Sequence, residues 1–155
     1  MWKLFGKTFY YWPKWLVVLI TNLHASLFSL NETRIGGKII GEDVLLLETV
    51  GRKTGKTRRT PLVYIFYNSK YFLVASYGGR DTNPGWYYNL INLGGFIRVN
   101  GNRYKVIPKV SIGKEKEIVW NLFVNLYETF RKYKRTAHRD IPIVGLTVIE
   151  YEKEK

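Results

Sequence analysis

The chemistry-bearing residues crowd into one short stretch, Gly51-Arg52-Lys53-Thr54-Gly55-Lys56-Thr57-Arg58-Arg59. Five cations stand between Arg52 and Arg59. The two glycines let the backbone bend and bring N–H groups close to an anion. Arginine forks match phosphate and carboxylate oxygens in pairs. The stretch is not a nucleotide-hydrolysing P-loop. Three residues separate its glycines where that motif has four, and the strand-forming run Thr60-Pro61-Leu62-Val63-Tyr64-Ile65 follows where a helix N-terminus is required. An anion-binding loop and a solvated basic hairpin tip both remain open on these residues alone.

Three further groups stand out. Ala75-Ser76-Tyr77-Gly78-Gly79 ends an apolar run in small residues, which lets a flat ligand approach the backbone; a plain Gly-Gly turn is the alternative. It lacks the GxSxG pattern of a nucleophile elbow. Asn83-Pro84-Gly85-Trp86-Tyr87-Tyr88-Asn89-Leu90 starts a helix at Pro84. Its three successive aromatics cannot all face one core, so at least one lines a pocket or interface or lies on the surface. Tyr127, Phe130 and Tyr133 share a helical stripe, with Arg131, Lys132, Lys134 and Arg135 between them. A core face beside a solvated charged face is the plainer reading of that stripe.

The composition narrows the choice. The 155 residues carry 25 Lys+Arg against 12 Asp+Glu, a net charge of +13. Between Thr49 and Lys114, twelve Lys/Arg meet a single acid, Asp81, so +11 of that excess lies in one window. With 46% hydrophobic residues the chain is a folded domain, not a basic tail. Concentrated positive charge on a folded domain points to nucleic acid, a membrane surface or an anionic cofactor. There is no cysteine, which excludes disulfides, thiolate metal sites and Cys nucleophiles, and with only His24 and His138 as imidazoles no metal site is expected.

The elements that position these groups read as α+β. Residues 1–30 form an amphipathic helical segment, basic and aromatic in its first part, with an uninterrupted apolar run of six residues, Trp15–Ile20. That run is far short of the roughly 20 needed to span a bilayer. The segment either packs on the domain or lies in a membrane interface. Residues 31–155 then form one domain. Asp43–Val50, Thr60–Tyr67, Tyr71–Tyr77, Phe96–Val99, Tyr104–Val110 and Ile143–Tyr151 are strands, with turn signals at Asn68-Ser69-Lys70 and Asn100-Gly101-Asn102. Trp86–Leu93 is a short helix, and Glu115–Arg135 a single long one by its three- and four-residue apolar spacing. Hairpin-linked strands with few helices predict a small antiparallel barrel.

Four blocks together resemble the deazaflavin (coenzyme F-420)-dependent nitroreductase and quinone reductase family. They are Gly51-Arg-Lys-Thr-Gly-Lys-x-Arg58-x-Thr60-Pro61-Leu62, Ala75-Ser76-x-Gly-Gly79, Asn83-Pro84-x-Trp86-Tyr87-x-Asn89-Leu90, and Tyr127…Tyr133…Ile141-Pro142. The resemblance implies a split β-barrel of the FMN-binding kind. It also implies the cofactor, an 8-hydroxy-5-deazaflavin with a phosphodiester and a glutamate tail. On this resemblance Arg52, Lys53, Lys56 and Arg58 hold the phosphate and tail. Thr60, Pro61, Leu62, Tyr64, Ala75 and Ser76 lie along the ring, and Trp86 and Asn89 close its other side. Tyr64, Tyr127, Phe130 and Tyr133 line the acceptor pocket, and Tyr64, Ser76 and Tyr133 orient the acceptor or relay a proton. The implied reaction moves a hydride between the coenzyme and a quinone, nitroaromatic or activated alkene. The implied enzyme is cytoplasmic, a monomer or homodimer, with peripheral membrane contact through residues 1–30 and no nucleic acid partner. Phe130 and Tyr77 depart from the tyrosine and lysine common in that family. The alternatives are an FMN- or haem-binding split barrel and a basic nucleic-acid-binding module.

Overall fold

The computed structural model describes residues 38–39 and 42–152; the expected N-terminal helical segment lies outside the described residues. Among the described residues eight strands occur in chain order: β1 (Lys38–Ile39), β2 (Glu42–Val50), β3 (Thr57–Val63), β4 (Ile65–Tyr67), β5 (Lys70–Val74), β6 (Gly95–Val99), β7 (Asn102–Val110) and β8 (Ile143–Glu152). Three helices among the same residues join them: α1 (Gly85–Leu93), α2 (Gly113–Leu126) and α3 (Thr129–Thr136). A short 3-10 turn spans Tyr77–Gly79.

All pairings are antiparallel, in the order β1-β2-β6-β7-β8-β5-β4, with β3 on the other side of β2. Only Tyr64 separates β3 from β4. Because β3 bonds to β2 and β4 to β5, this single bent strand closes the sheet into a small split barrel. Pro61 is tolerated in β3 because that strand pairs on one side only.

The barrel is filled by side chains. Leu45 and Leu47 from β2 meet Leu73, Ile97, Val106, Val144 and Leu146 from the other strands. Trp86 and Leu90 of α1 plug one end. A second cluster lies under α2 and α3, where Phe72, Val119, Trp120, Phe123, Phe130 and Ile143 meet. Both hairpin turns form as expected, with positive φ at Asn68 and Ser69 and at Asn100 and Gly101.

Two expectations need correction. The long helix is broken: Tyr127 is extended (φ −147°, ψ 101°) between α2 and α3. The reason is aromatic packing. Phe123 and Phe130 have ring centroids 5.2 Å apart, whereas seven residues of a continuous helix rise about 10.5 Å. The chain folds back so that Phe130 meets Phe123, Trp120, Tyr127 and Tyr133 edge-on. In addition, the basic loop is shorter than expected. β3 begins at Thr57, so Arg58 and Arg59 are strand residues with opposite-facing side chains.

Candidate functional site

The loop from Gly51 to Lys56 is built by its own hydrogen bonds. The Gly51 carbonyl accepts the N–H groups of Thr54 (3.0 Å) and Gly55 (2.7 Å), and the Gly51 N–H donates to the Lys56 carbonyl (2.8 Å). Gly55 holds φ at +67°, which favours glycine. The Arg52 N–H donates to Oδ1 of Asn89 (3.2 Å), and the Lys56 N–H to Oγ1 of Thr54 (3.4 Å). Five of the six backbone N–H groups are therefore occupied inside the protein. The expected cradle of backbone donors is absent, and the loop offers an anion its side chains instead.

Those side chains are exposed cations. Among the described residues no carboxylate stands within ion-pair distance of Arg52, Lys53, Lys56 or Arg58. The Arg52 guanidinium lies over the Tyr88 ring, 4.8 Å from its centroid, which makes Tyr88 the outward member of the aromatic triple. Arg58 reaches Oγ1 of Thr54 at 3.5 Å. Its strand partner Thr49 is buried and its hydroxyl has no protein partner. Unpaired cations beside an orphaned buried hydroxyl fit a polyanion that brings its own acceptors.

Register separates the sequence-predicted residues into two faces. Arg58, Thr60 and Leu62 pair with Thr49, Leu47 and Leu45, on the face that looks into the barrel. Leu62 and Tyr64 pack against that core. Pro61 pairs with Leu46 and Arg59 with Glu48, on the opposite face, so Pro61 is not alongside Thr60 and Leu62. Ala75 and Trp86 are buried in the barrel core, and Asn89 is buried behind the loop. Ser76 is half-buried where β5 passes into the 3-10 turn. Phe130, expected in the acceptor pocket, is instead a core side chain, only 8% exposed.

Tyr133 and Ser76 belong to neighbouring elements. α3 presses on the turn at Gly79, where φ is +80° and a Cβ would strike Oγ1 of Thr136 and come within 3.2 Å of the Tyr133 Cα. Tyr64 belongs to the barrel core and Tyr133 to the helical cluster. Burial pushes the Tyr133 hydroxyl up to about 12, with a smaller contribution from Tyr127. Burial also raises Tyr64, helped by Asp43 and Tyr71.

Sequence reasoning missed Glu48 and Arg139. Glu48 is 5% exposed and meets Arg59 (3.2 Å), Arg98 (2.8 Å) and Arg103 (2.8 Å). Arg103 also pairs with Glu152. Burial works to raise the Glu48 carboxyl, but hydrogen bonds from Arg103 and Arg98 outweigh it and hold the group below its ordinary value. Arg98 and Arg103 are thus partnered within the sheet. The available signal was an acid directly after the apolar run Val44–Leu47, one residue outside the basic window. For Arg139 the signal was weaker, an arginine two residues before Ile141-Pro142.

Comparison with known proteins decides among the polyanions. The family model described as F420H(2)-dependent quinone reductase matches residues 21–148. The chain belongs to that family. It is an F-420-dependent oxidoreductase with the split-barrel fold of its F-420-using neighbours. An F420H(2)-dependent quinone reductase of Mycobacterium tuberculosis strain H37Rv is 34% identical over 135 residues, covering 84% of this chain and 91% of the relative. The solved F420-H2 Dependent Reductase (FDR-A) is 31% identical with a TM-score of 0.60, over 66% of this chain and 92% of its own. A solved chain described as a domain-swapped dimer is 28% identical with a TM-score of 0.63, over 78% of this chain and 92% of its own.

Proposed function

We propose that this family member reduces a quinone, with the coenzyme tail held by Arg52, Lys53, Lys56 and Arg58. The single observation that carries the site is that these four cations lack a carboxylate partner among the described residues, while the arginines on the opposite face are paired. When bound, the reduced coenzyme supplies a hydride, and the hard chemistry is its own. The chain's part is binding and orientation. Asn89 and Tyr88 set Arg52, and Arg58 stands on the barrel-facing side of β3 with Thr60 and Leu62, while Tyr64 packs against the same core. Ser76 approaches from the end of β5.

Tyr64, Ser76 and Tyr133 supply hydroxyls for the acceptor. A phenol near 12 is a weaker acid than a free one near 10. Tyr133 therefore keeps its proton at neutral pH and orients the acceptor by hydrogen bonding, while water protonates the reduced oxygen. Nitroaromatics and activated alkenes are further acceptors of the same reading. The basic, apolar residues 1–30 would draw the enzyme to a membrane surface where apolar quinones dissolve; no helix among the described residues is long and apolar enough to cross one. A homodimer is the assembly that the domain-swapped neighbour suggests.

The test is a fluorescence titration of the purified protein with oxidised F-420 at low and moderate salt, with FMN and single-stranded DNA in parallel. Binding of F-420 alone, followed by quinone-dependent reoxidation of the reduced form, is the expected result. Preference for FMN would reassign the cofactor, and preference for DNA with a steep salt dependence would overturn the reading.

A further inference from the structure

The residues between Ala75 and Pro84 must hold the ring end of the site still, yet they contain almost no regular structure. Their only helical element is the Tyr77–Gly79 turn, tied by Gly79 N–H to the Ser76 carbonyl (3.0 Å) and Arg80 N–H to the Tyr77 carbonyl (3.4 Å). Tyr77 (φ 50°), Gly78 (φ 66°) and Gly79 (φ 80°) are left-handed in succession. A tyrosine in that conformation persists only where its surroundings over-determine it.

One guanidinium ties this segment at four points, beside the bonds from Thr136 to the Gly79 carbonyl and from the His138 N–H to Asp81. Arg139 lies between α3 and β8. Its Nη2 donates to the carbonyls of Ala75 (2.8 Å) and Ser76 (3.2 Å). Its Nε donates to the Arg80 carbonyl (2.9 Å). Its Nη1 donates to Oδ1 of Asn83 (2.5 Å) and to the Asp140 carbonyl (3.2 Å). Every acceptor is neutral, so the charge is not serving an ion pair; the planar fork is what the position uses. The reach continues beyond Asn83. Pro84 starts α1, and α1 carries Asn89, which takes the Arg52 N–H, and Tyr88, which underlies the Arg52 guanidinium.

We propose that Arg139 is a positioning residue for hydride transfer: its fork locks the end of β5 beside Ser76 to the start of α1, and through α1 to the cationic loop. The inference rests on the coenzyme site proposed above. A lysine presents three donors from one atom and cannot span these acceptors, so Arg139→Lys is not a neutral exchange. A cavity of about 480 Å³ borders Arg139 beside Trp120, Lys116 and Lys134.

The full-length wild type, Arg139→Lys and Arg139→Ala proteins are titrated with F-420 to count binding sites. Oxidation of the bound reduced coenzyme by a soluble naphthoquinone is then followed in a single turnover. The rate is expressed per bound coenzyme, so that a loss of folded protein lowers the number of sites and leaves the rate alone. The expected result is a loss of about tenfold or more in Arg139→Ala, a smaller loss in Arg139→Lys, and a smaller change in affinity than in rate for both. Millimolar methylguanidinium should restore part of the Arg139→Ala rate where equal sodium chloride does not. A wild-type rate per bound coenzyme in Arg139→Ala overturns the proposal; if that variant does not fold, a wild-type rate in Arg139→Lys does so. Wild-type protein that binds no F-420 removes the coenzyme site and this role together, an outcome distinct from normal binding with no Arg139 effect.

Discussion

Arg58 and Arg59 are neighbours in the chain and serve opposite ends. Arg59 points to the outer face of the sheet, where Glu48 gathers it with Arg98 and Arg103. Arg58 points to the barrel side with Thr49, Thr60 and Leu62, without a carboxylate among the described residues. One strand thus carries an ion-paired face within the sheet and a face of unpaired charge that we propose takes an anion. The lesson is that a count of positive charge along the sequence mixes two populations. Only those cations left without a partner report on a ligand.

Substitutions can break this contrast from either side. The largest expected effect is on the ion-paired face. Glu48→Gln removes the carboxylate that three guanidiniums share and should cost about 2–4 kcal/mol of stability by urea unfolding, with F-420 affinity of the folded fraction unchanged. The Glu48 carboxyl titrates below its ordinary value of 4.5 in the folded chain. Its contribution is therefore complete above the unfolded value and disappears as pH falls through the folded one. Wild type should lose stability in that acid range, and Glu48→Gln should show a flatter acid limb.

On the charged face, Lys53→Met with Lys56→Met should weaken F-420 binding by about 1–2 kcal/mol and make it less sensitive to salt. Tyr88→Ala removes the support under Arg52 and should weaken binding by about 0.5–1 kcal/mol, measured by the same titration. The smallest effect concerns pH. With Tyr133 held near 12 by burial, the single-turnover rate should show no tyrosine ionisation between neutral pH and the ordinary tyrosine value near 10. A rate that titrates within that range would make a tyrosine a proton donor.

Much of the barrel was legible because its signals are local. The apolar run Val44–Leu47 and the turns at Asn68-Ser69 and Asn100-Gly101 each act through a few adjacent residues. The break at Tyr127 carries no Gly or Pro and arises only from the return of Phe130 onto Phe123, a tertiary effect. The basic loop was legible by composition, but its backbone donors turned inward through bonds that no spacing reveals. The core-face reading of the helical stripe describes Phe130, which is 8% exposed in the helical cluster, whereas its place in the acceptor pocket was implied by the family resemblance alone. Glu48 pairs with residues 11 to 55 positions away and Arg139 ties residues 56 to 64 positions away, which only the folded sheet brings together.

The most direct measurement compares Arg58→Met with Arg59→Met in one F-420 titration, alongside thermal unfolding. Arg58→Met should weaken binding by about 1.5–3 kcal/mol, the scale of a charge-assisted hydrogen bond, with its unfolding temperature kept. Arg59→Met should leave binding intact and lower the unfolding temperature. Equal losses of affinity in the two variants, or a larger loss in Arg59→Met, would contradict the division of the strand into a structural and a ligand-binding face.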